Sequence, residues 1–199
     1  IVLLPQALEA SVNLMGSVID LGPMWNSGIS VSLGPLTISP NSNVDDAGFI
    51  LSLIDTVSLN YNIEEGNIFL SGFSMGGFMT HRMAIEYGDK FNAFAPASGM
   101  IPKSMETSIP IQPVKILHIH GTADNVVSFD GTSSVVEGMP NLLVGLTVEQ
   151  TIDFWRICIF IQCQFSHITT FDKNIPKIFG KYTKKHCTIQ FNCLFLLHH

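Results

Sequence analysis

Ile68-Phe69-Leu70-Ser71-Gly72-Phe73-Ser74-Met75-Gly76-Gly77 is the stretch of sequence that decides the fold of this chain. An apolar run is followed by the pattern Gly-x-Ser-x-Gly and then by a segment that can form a helix. We predict a strand over residues 67–73, a helix over residues 75–87 and a sharp turn between them that carries Ser74. A serine on such a turn stands at the carboxyl end of a parallel strand, where a hydroxyl nucleophile is exposed.

The glycines of this motif have a predicted steric role. Side chains two positions to either side of the serine would collide in so tight a turn. Gly72 and Gly76 remove them, and Gly77 extends this freedom into the start of the helix. The backbone N–H of Met75, at the positive end of the helix dipole, is the predicted donor to an oxyanion. The alternative is an ordinary glycine-rich turn without chemistry.

A second motif, His118-Ile119-His120-Gly121-Thr122-Ala123-Asp124, ends a predicted strand at residues 114–120. Asp124 comes just after that strand, at the sheet edge where sites of parallel sheets assemble. We predict that Asp124 is the acid that orients an imidazole base for Ser74. The alternative is an aspartate that stabilises a turn. His118 and His120 share one face of the strand, and we expect them to anchor its end, because they precede the acid in sequence.

The composition excludes several classes of function. The 199 residues carry a formal net charge of −6, which argues against a nucleic-acid-binding surface. The apolar runs are shorter than the roughly 18 residues that a membrane span needs. The 46% of hydrophobic residues suffice for one folded domain with a sizeable core. The motifs indicate no metal site and no cofactor.

The charge changes sign along the chain. Residues 1–150 hold 4 basic and 14 acidic residues, whereas residues 151–199 hold 6 basic residues, 2 acidic residues and all four cysteines. We therefore predict a partial α/β domain over residues 1–155 and an atypical, basic, cysteine-containing tail of uncertain origin over residues 156–199. We expect the tail to be a gene-model artefact such as a read-through or frame-slip product, because it shows no sustained helical or strand period. A basic segment that docks an acidic partner is the alternative.

The remaining elements predict an α/β fold with a mostly parallel sheet and flanking helices. Ile1–Leu4 is short and apolar, which indicates a buried parallel strand. A helix is expected from Asn43 or Asp45 to about Ser58, and a further strand over residues 91–97. Asp45 and the following aspartate fit the first turn of that helix as capping residues. A metal role for this pair is the alternative.

Residues 5–43 are rich in glycine, serine, asparagine and proline, and we predict a long irregular excursion there. Such loops often carry function. Trp25 and Asn26 within it are candidates for the wall of a substrate cleft. For the indole, a packing role is the alternative.

Residues 1–155 resemble the polyhydroxybutyrate depolymerase and feruloyl esterase group of α/β-hydrolases. The resemblance rests on Pro5-Gln6, Trp25-Asn26, Val44-Asp45-Asp46-Ala47-Gly48-Phe49-Ile50, Tyr61-Asn62-Ile63, Gly72-Phe73-Ser74-Met75-Gly76-Gly77, Ala95-Pro96-Ala97-Ser98-Gly99 and His118-Ile119-His120-Gly121-Thr122-Ala123-Asp124-Asn125-Val126-Val127. It implies an exported, extracellular serine esterase that forms an acyl-enzyme on polyester or polysaccharide-linked esters. In this resemblance Ser74 matches the nucleophile and Asp124 the triad acid.

Two features of the group have no counterpart in this sequence. The first is a His-Gly segment that would precede Ile1 and supply a second oxyanion donor. The second is a triad histidine in a glycine-rich segment near the carboxyl terminus, which none of four later histidines matches: His167, His186, His198 and His199. We therefore expect an incomplete fold and impaired turnover.

Two other functions stay open at this stage. One is a non-catalytic remnant that binds esters or a carbohydrate surface without turnover. The other is a serine peptidase of the prolyl oligopeptidase type, which also uses Gly-x-Ser-x-Gly-Gly. The sequence indicates neither the ester nor the oligomeric state.

Overall fold

The computed structural model describes residues 1–14, 16–33, 36–133, 142–164 and 189–194. Its strands are β1 Glu9–Leu14, β2 Ser17–Pro23, β3 Val31–Leu33, β4 Leu36–Ile38, β5 Phe69–Phe73, β6 Ala93–Ala97, β7 Ile116–Gly121, β8 Thr132–Ser133, β9 Leu142–Leu143 and β10 Ile189–Leu194. Its α-helices are α1 Asp46–Asn60, α2 Met75–Glu86 and α3 Val148–Gln164. Short 3-10 turns span Glu65–Asn67, Gly88–Lys90 and Lys103–Met105.

The central sheet has the strand order β10-β7-β6-β5. Strands β5, β6 and β7 are parallel, with Phe69 opposite Ala93 and Phe94 opposite Ile116, and β10 pairs antiparallel with β7. The predicted α/β class with flanking helices is therefore confirmed, and the three parallel strands lie within one or two residues of their predicted bounds. Because parallel strands share one direction, the segments that follow β5, β6 and β7 meet at one edge of the sheet.

Helix α2 packs across β5 and β6 and forms the centre of the core. Its buried face includes Phe78, Met79, Met83 and Ala84. Met79, Met83 and Ala84 share one cluster with apolar side chains of α1, β6, β7 and the first turns of α3, whereas Phe78 belongs to a second cluster. The helix that follows Ser74 is thus held in place by nearly its whole apolar surface. Burial of apolar surface is the main stabilising contribution in a domain of this size.

Helix α1 begins with the predicted aspartate cap. The Asp45 side chain accepts a hydrogen bond of 2.9 Å from the Gly48 amide, one of the first-turn donors without an intrahelical partner. Asp46 is buried, and its Oδ2 accepts the Asn26 amide at 2.6 Å. The pair therefore has structural partners, in agreement with the capping prediction. Within the described part of the chain, no group of three or more His, Cys, Asp or Glu side chains is arranged to hold a metal ion.

Replacing Asp45 by alanine is expected to lower the free energy of unfolding by about 1 kcal/mol, because the Gly48 amide loses its acceptor. Asp55→Ala is the matched control, since Asp55 is an exposed carboxylate in the same helix. Its removal should change stability by less than about 0.5 kcal/mol. Urea unfolding of both variants measures the difference, and equal effects would argue against a contribution from the cap.

The amino-terminal region differs from its prediction. Ile1–Leu4 forms no strand, and the side chains of Ile1, Val2 and Leu4 are 76%, 81% and 90% exposed, so the predicted buried strand is wrong. An apolar run becomes a buried strand only when neighbouring strands cover and pair with it. In the described structure these residues pair with no strand, and β5 is the edge of its sheet.

Residues 5–43 contain two hairpins where we predicted an irregular loop. Strands β1 and β2 pair antiparallel around Gly16, whose φ is 90°, and β3 pairs antiparallel with β4. The sequence did not predict these hairpins because β2 is only partly buried. Its residues lack the strict alternation of apolar and polar side chains that marks a strand with one buried face. Glycine and serine content alone therefore overestimated the irregular part.

Gly88, the residue directly after the end of α2, has a packing role. Tyr87 caps α2, and Gly88 opens the following 3-10 turn without a positive φ. A Cβ on Gly88 would lie 2.7 Å from Val114 Cγ1. The residue is a glycine because the segment before β7 passes too close for a side chain.

The predicted tail is partly regular. Helix α3 continues through the predicted boundary at residues 155 and 156, and β10 places Ile189 opposite Gly121 on the far side of β7. The domain boundary and the origin of residues 156–199 stay predictions. Residues 165–188 and 195–199 lie outside the described residues. Of the helices described here, none combines the length and apolar character that crossing a membrane requires.

Candidate active site

Ser74 lies on the turn between β5 and α2, as the sequence predicts. Its backbone has φ 53° and ψ −117°, a conformation that residues other than glycine rarely adopt. The amide donates to the Ala97 carbonyl at 2.9 Å, and the Ser74 carbonyl accepts from Gly77 and Phe78 at 2.8 and 3.1 Å. These bonds hold a strained residue at the sheet edge, which is the usual circumstance of functional strain.

Two glycines of the motif allow β5, α2 and β6 to approach. A Cβ on Gly72 would lie 2.1 Å from the Gly76 carbonyl oxygen, and one on Gly77 would lie 2.6 Å from the Ala97 carbonyl oxygen. A Cβ on Gly76 would meet none of the described atoms within 4 Å. A close approach of backbone atoms therefore accounts for glycine at positions 72 and 77, whereas the steric reason predicted for Gly76 is not seen.

Met75 is the first residue of α2, so its N–H has no acceptor within the helix. The Gly77 amide, by contrast, already donates to the Ser74 carbonyl. The Met75 amide thus follows Ser74 directly in sequence and lies at the positive end of the helix dipole. Its role as an oxyanion donor stays a prediction.

Asp124 lies just beyond the carboxyl end of β7. Its amide donates to the Gly121 carbonyl at 3.1 Å, and its Oδ1 accepts the amides of Val126 and Val127, both at 3.0 Å. The side chain is 18% exposed. The carboxylate therefore stabilises a turn through Oδ1, and Oδ2 is the oxygen that these two amides do not hold.

The two candidate residues are two strands apart on the same sheet edge. Ser74 follows β5 and Asp124 follows β7, with β6 between them. Adjacent strands lie about 4.8 Å apart, so the two strand ends are roughly 10 Å apart. An imidazole bonded to both side chains would span a gap of this size. Ser98, which follows β6 between them, also has a positive φ of 46°.

His118 and His120 are buried on one face of β7, 4% and 1% exposed. His120 Nε2 lies 2.9 Å from the Val127 carbonyl oxygen and 3.9 Å from Asp124 Oδ2. His118 Nδ1 lies 3.3 Å from His81 Nε2. Each ring is thus bonded inside the fold through one nitrogen, whereas His118 Nε2 and His120 Nδ1 have no hydrogen-bond partner among the described residues.

His81 is a fully buried member of this histidine cluster that the sequence analysis missed. Trp155 Nε1 donates to its Nδ1 at 3.2 Å. Burial lowers the pKa of His81 well below its ordinary value, and the neighbouring His118 lowers it further. Burial, together with His120, lowers the pKa of His118 to about 4. The available signal was helical spacing, since position 81 is three residues after Phe78 on the buried face of α2.

A cavity of about 1220 Å³ has the serine in its lining. Ser74, Met75 and Gly76 line it together with Trp25 and part of the amino-terminal segment. Asn26 does not line this cavity, because its side-chain amide donates to the Val44 carbonyl at 2.8 Å. The structure thus places the indole in the wall of the same cavity, where it also packs against the core, and it assigns Asn26 to the loop that precedes α1.

The base that would activate Ser74 is not found among the described residues. No hydrogen bond there joins the Ser74 hydroxyl to a histidine ring. The remaining histidines lie outside the described residues: His167, His186, His198 and His199.

A serine on a strained strand-to-helix turn of a parallel α/β sheet defines the fold as a partial α/β-hydrolase. The phospholipase/carboxylesterase family matches residues 34–150, which is more than half of the chain. The chain belongs to the phospholipase/carboxylesterase family.

Curated relatives are esterases by name. Over 84 residues the chain is 39% identical to the bifunctional acetylxylan esterase/xylanase XynS20E of Neocallimastix patriciarum, covering 42% of this chain and 12% of that protein. Over 129 residues it is 30% identical to feruloyl esterase B of Piromyces equi, covering 63% of this chain and 22% of that protein. The chain therefore spans less than a quarter of the length of these two relatives. No solved structure was found to match it.

Proposed function

We propose that this chain carries the nucleophile of a carboxylic ester hydrolase that acts through an acyl-enzyme. The Ser74 oxygen forms a bond to the ester carbonyl carbon, the alcohol leaves with a proton, and water then releases the acid and regenerates the hydroxyl. The observation that carries the proposal is the positive φ of Ser74 at the amino terminus of α2, beside a cavity. This position exposes the hydroxyl and directs free amides toward developing negative charge.

In this proposal Asp124 is the acid that orients an imidazole, and the Met75 amide is one oxyanion donor. Asp124 lies on the same sheet edge as Ser74, and two backbone amides already fix its carboxylate. The imidazole would come from outside the described residues. The described histidines are buried, and the four later histidines of the sequence do not stand in the glycine-rich segment of the triad histidine, so we propose that the 199-residue chain by itself hydrolyses esters slowly.

Polysaccharide-linked esters are the favoured substrates. The two relatives described above are named acetylxylan esterase and feruloyl esterase, which supports acetyl or aromatic acyl esters. Trp25 in the cavity wall offers an aromatic surface for such groups. Polyester substrates and placement in the polyhydroxybutyrate depolymerase group remain alternatives, and turnover of methyl ferulate against a hydroxybutyrate oligomer distinguishes them. By the same resemblance we propose an extracellular location.

A non-catalytic ester-binding protein is the second candidate. It is favoured by the lack of a described histidine on Ser74, whereas the match to a carboxylesterase family favours turnover and ranks the peptidase alternative lower. A binding protein would retain the cavity but would not react covalently with an ester.

Reaction with a fluorophosphonate probe tests the proposed nucleophile. We expect slow, stoichiometric labelling of the chain and none of Ser74→Ala. Ser71→Ala is the control, because Ser71 is an exposed hydroxyl on the preceding strand and should leave labelling unchanged. p-Nitrophenyl acetate turnover should follow the same order. Labelling that persists in Ser74→Ala would refute the assignment, and rapid serine-dependent turnover would refute the proposal that this chain is impaired.

A further inference from the structure

We propose that His120 is a positioning residue, which fixes the loop that holds the Asp124 carboxylate by donating a hydrogen bond to the Val127 carbonyl. The ring is in β7 and does not reach the reacting atoms, so its effect is transmitted through the backbone. The inference rests on the acid role proposed for Asp124, although the link between ring and loop can be tested separately.

The distances decide which oxygen the His120 ring binds. A carbonyl oxygen can only accept, so the 2.9 Å separation requires a hydrogen on Nε2 that points at Val127. The separation of 3.9 Å to Asp124 Oδ2 is too long for a hydrogen bond. The ring therefore supports the acid indirectly and does not pair with it.

Val127 joins the ring to the carboxylate. Its carbonyl accepts from His120, and its amide donates to Asp124 Oδ1 at 3.0 Å. The neighbouring Val126 amide donates to the same oxygen, and the Val126 carbonyl accepts the Ser133 hydroxyl at 3.0 Å. Since Val127 is 3% exposed, water cannot easily replace these partners. Loss of the His120 donor should therefore loosen both amides that hold the carboxylate.

The His120 ring is itself held in one orientation. Phe129 contacts it edge-on at a centroid distance of 5.9 Å, and the His118 ring stacks on it at 5.7 Å. His118 is fixed in turn through His81. An indole N–H can only donate, so Trp155 requires a bare Nδ1 on His81, and the Nε2 hydrogen of His81 then points at His118 Nδ1. This order of donors leads from α3 to the strand that carries His120.

The competing explanation is that His120 merely fills the core. Three variants separate the two. His120→Phe keeps a planar ring but removes the donor, whereas His120→Gln keeps an N–H donor at similar reach. His118→Phe is the matched control, because it makes the same change two residues away on the same face, where the lost partner is His81 and not the loop.

Amide hydrogen exchange followed by NMR is the primary measurement, with β6 amides reporting global stability. We expect exchange at Val126 and Val127 to rise about tenfold or more in His120→Phe relative to the β6 amides, as expected for a lost buried hydrogen bond. His120→Gln should restore most of the protection. His118→Phe should change global stability without a selective change at these two amides. Unchanged protection in His120→Phe, or equal selective loosening in His118→Phe, overturns the proposal.

Ester turnover supplies a second, separate test. If Asp124 is the acid, His120→Phe should lower kcat for p-nitrophenyl acetate with little change in KM, and His120→Gln should recover it. Faster amide exchange at Val126 and Val127 without any change in kcat would refute the acid role of Asp124 while supporting the link between the His120 ring and the loop. If exchange at these two amides does not change, the positioning role is refuted regardless of the turnover.

Discussion

Gly72→Ala is expected to lower the free energy of unfolding by about 3 kcal/mol or more, the upper end of overpacking effects. The added Cβ would lie 2.1 Å from the Gly76 carbonyl oxygen and 2.3 Å from its carbonyl carbon. These are backbone atoms in the first turn of α2, so no side-chain rotation can relieve the clash. Thr80 Oγ1, also within 2.8 Å of the new atom, is itself bonded to the Gly76 carbonyl. The helix would have to move away from β5.

Two glycine variants serve as controls for this prediction. Gly76→Ala adds a Cβ in open space within the same turn, and Gly66→Ala does so in an exposed 3-10 turn. Both should alter stability by less than about 1 kcal/mol, and alanine should even favour the helix at position 76. Urea unfolding of the three variants measures the contrast. A Gly72→Ala protein as stable as the parent would mean that β5 and α2 do not meet at this distance.

The sequence predicted the part of the fold that local patterns specify. Each parallel strand is a short apolar run bounded by turn residues, and the order of β5, α2 and β6 follows from one motif. Because carboxyl ends of parallel strands share an edge, the pattern also predicted that Ser74 and Asp124 would lie on one side of the sheet. Gly72 and Gly77 were predictable for the same reason, since the turn geometry is local.

Contacts between distant segments could not be read in this way. The expected strand at Ile1–Leu4 failed because burial depends on neighbouring strands and not on composition. Asn26 was a candidate for the cleft, yet its amide donates to a loop carbonyl 18 residues further along the chain. The link from Trp155 to His81 joins residues 74 positions apart, so no local period could have paired them.

The second large expected effect is a loss of stability in mild acid, which the buried histidines cause. Burial and His120 lower the pKa of His118 to about 4, and burial and His118 lower the pKa of His81 well below its ordinary value. Well above pH 6.5 these rings are neutral whether the chain is folded or unfolded. As the pH falls below 6.5, the unfolded chain gains protons that the folded chain does not bind, so the free energy of unfolding falls.

The sign and size follow from this difference in protons bound. At pH 5, His118 alone should have removed about 2 kcal/mol of the stability present at pH 7, and its contribution levels off below its folded pKa. His81 adds to the loss in the same direction. Ordinary carboxylates titrate below this window, and hydrogen bonds from Thr132 lower the pKa of Asp130 further out of it. The interval from pH 6.5 to 5 therefore reports mainly on histidines.

Urea unfolding at several pH values between 7.5 and 5 measures the effect, and His118→Gln identifies its source. The glutamine side chain does not titrate, so the steepest slope of unfolding free energy against pH should fall by about 1.4 kcal/mol per pH unit, the value for one proton. An unchanged slope would mean that His118 is solvated or charged in the folded protein. Because the Trp155, His81 and His118 bonds require neutral rings, that result would also contradict the order of donors that leads to β7.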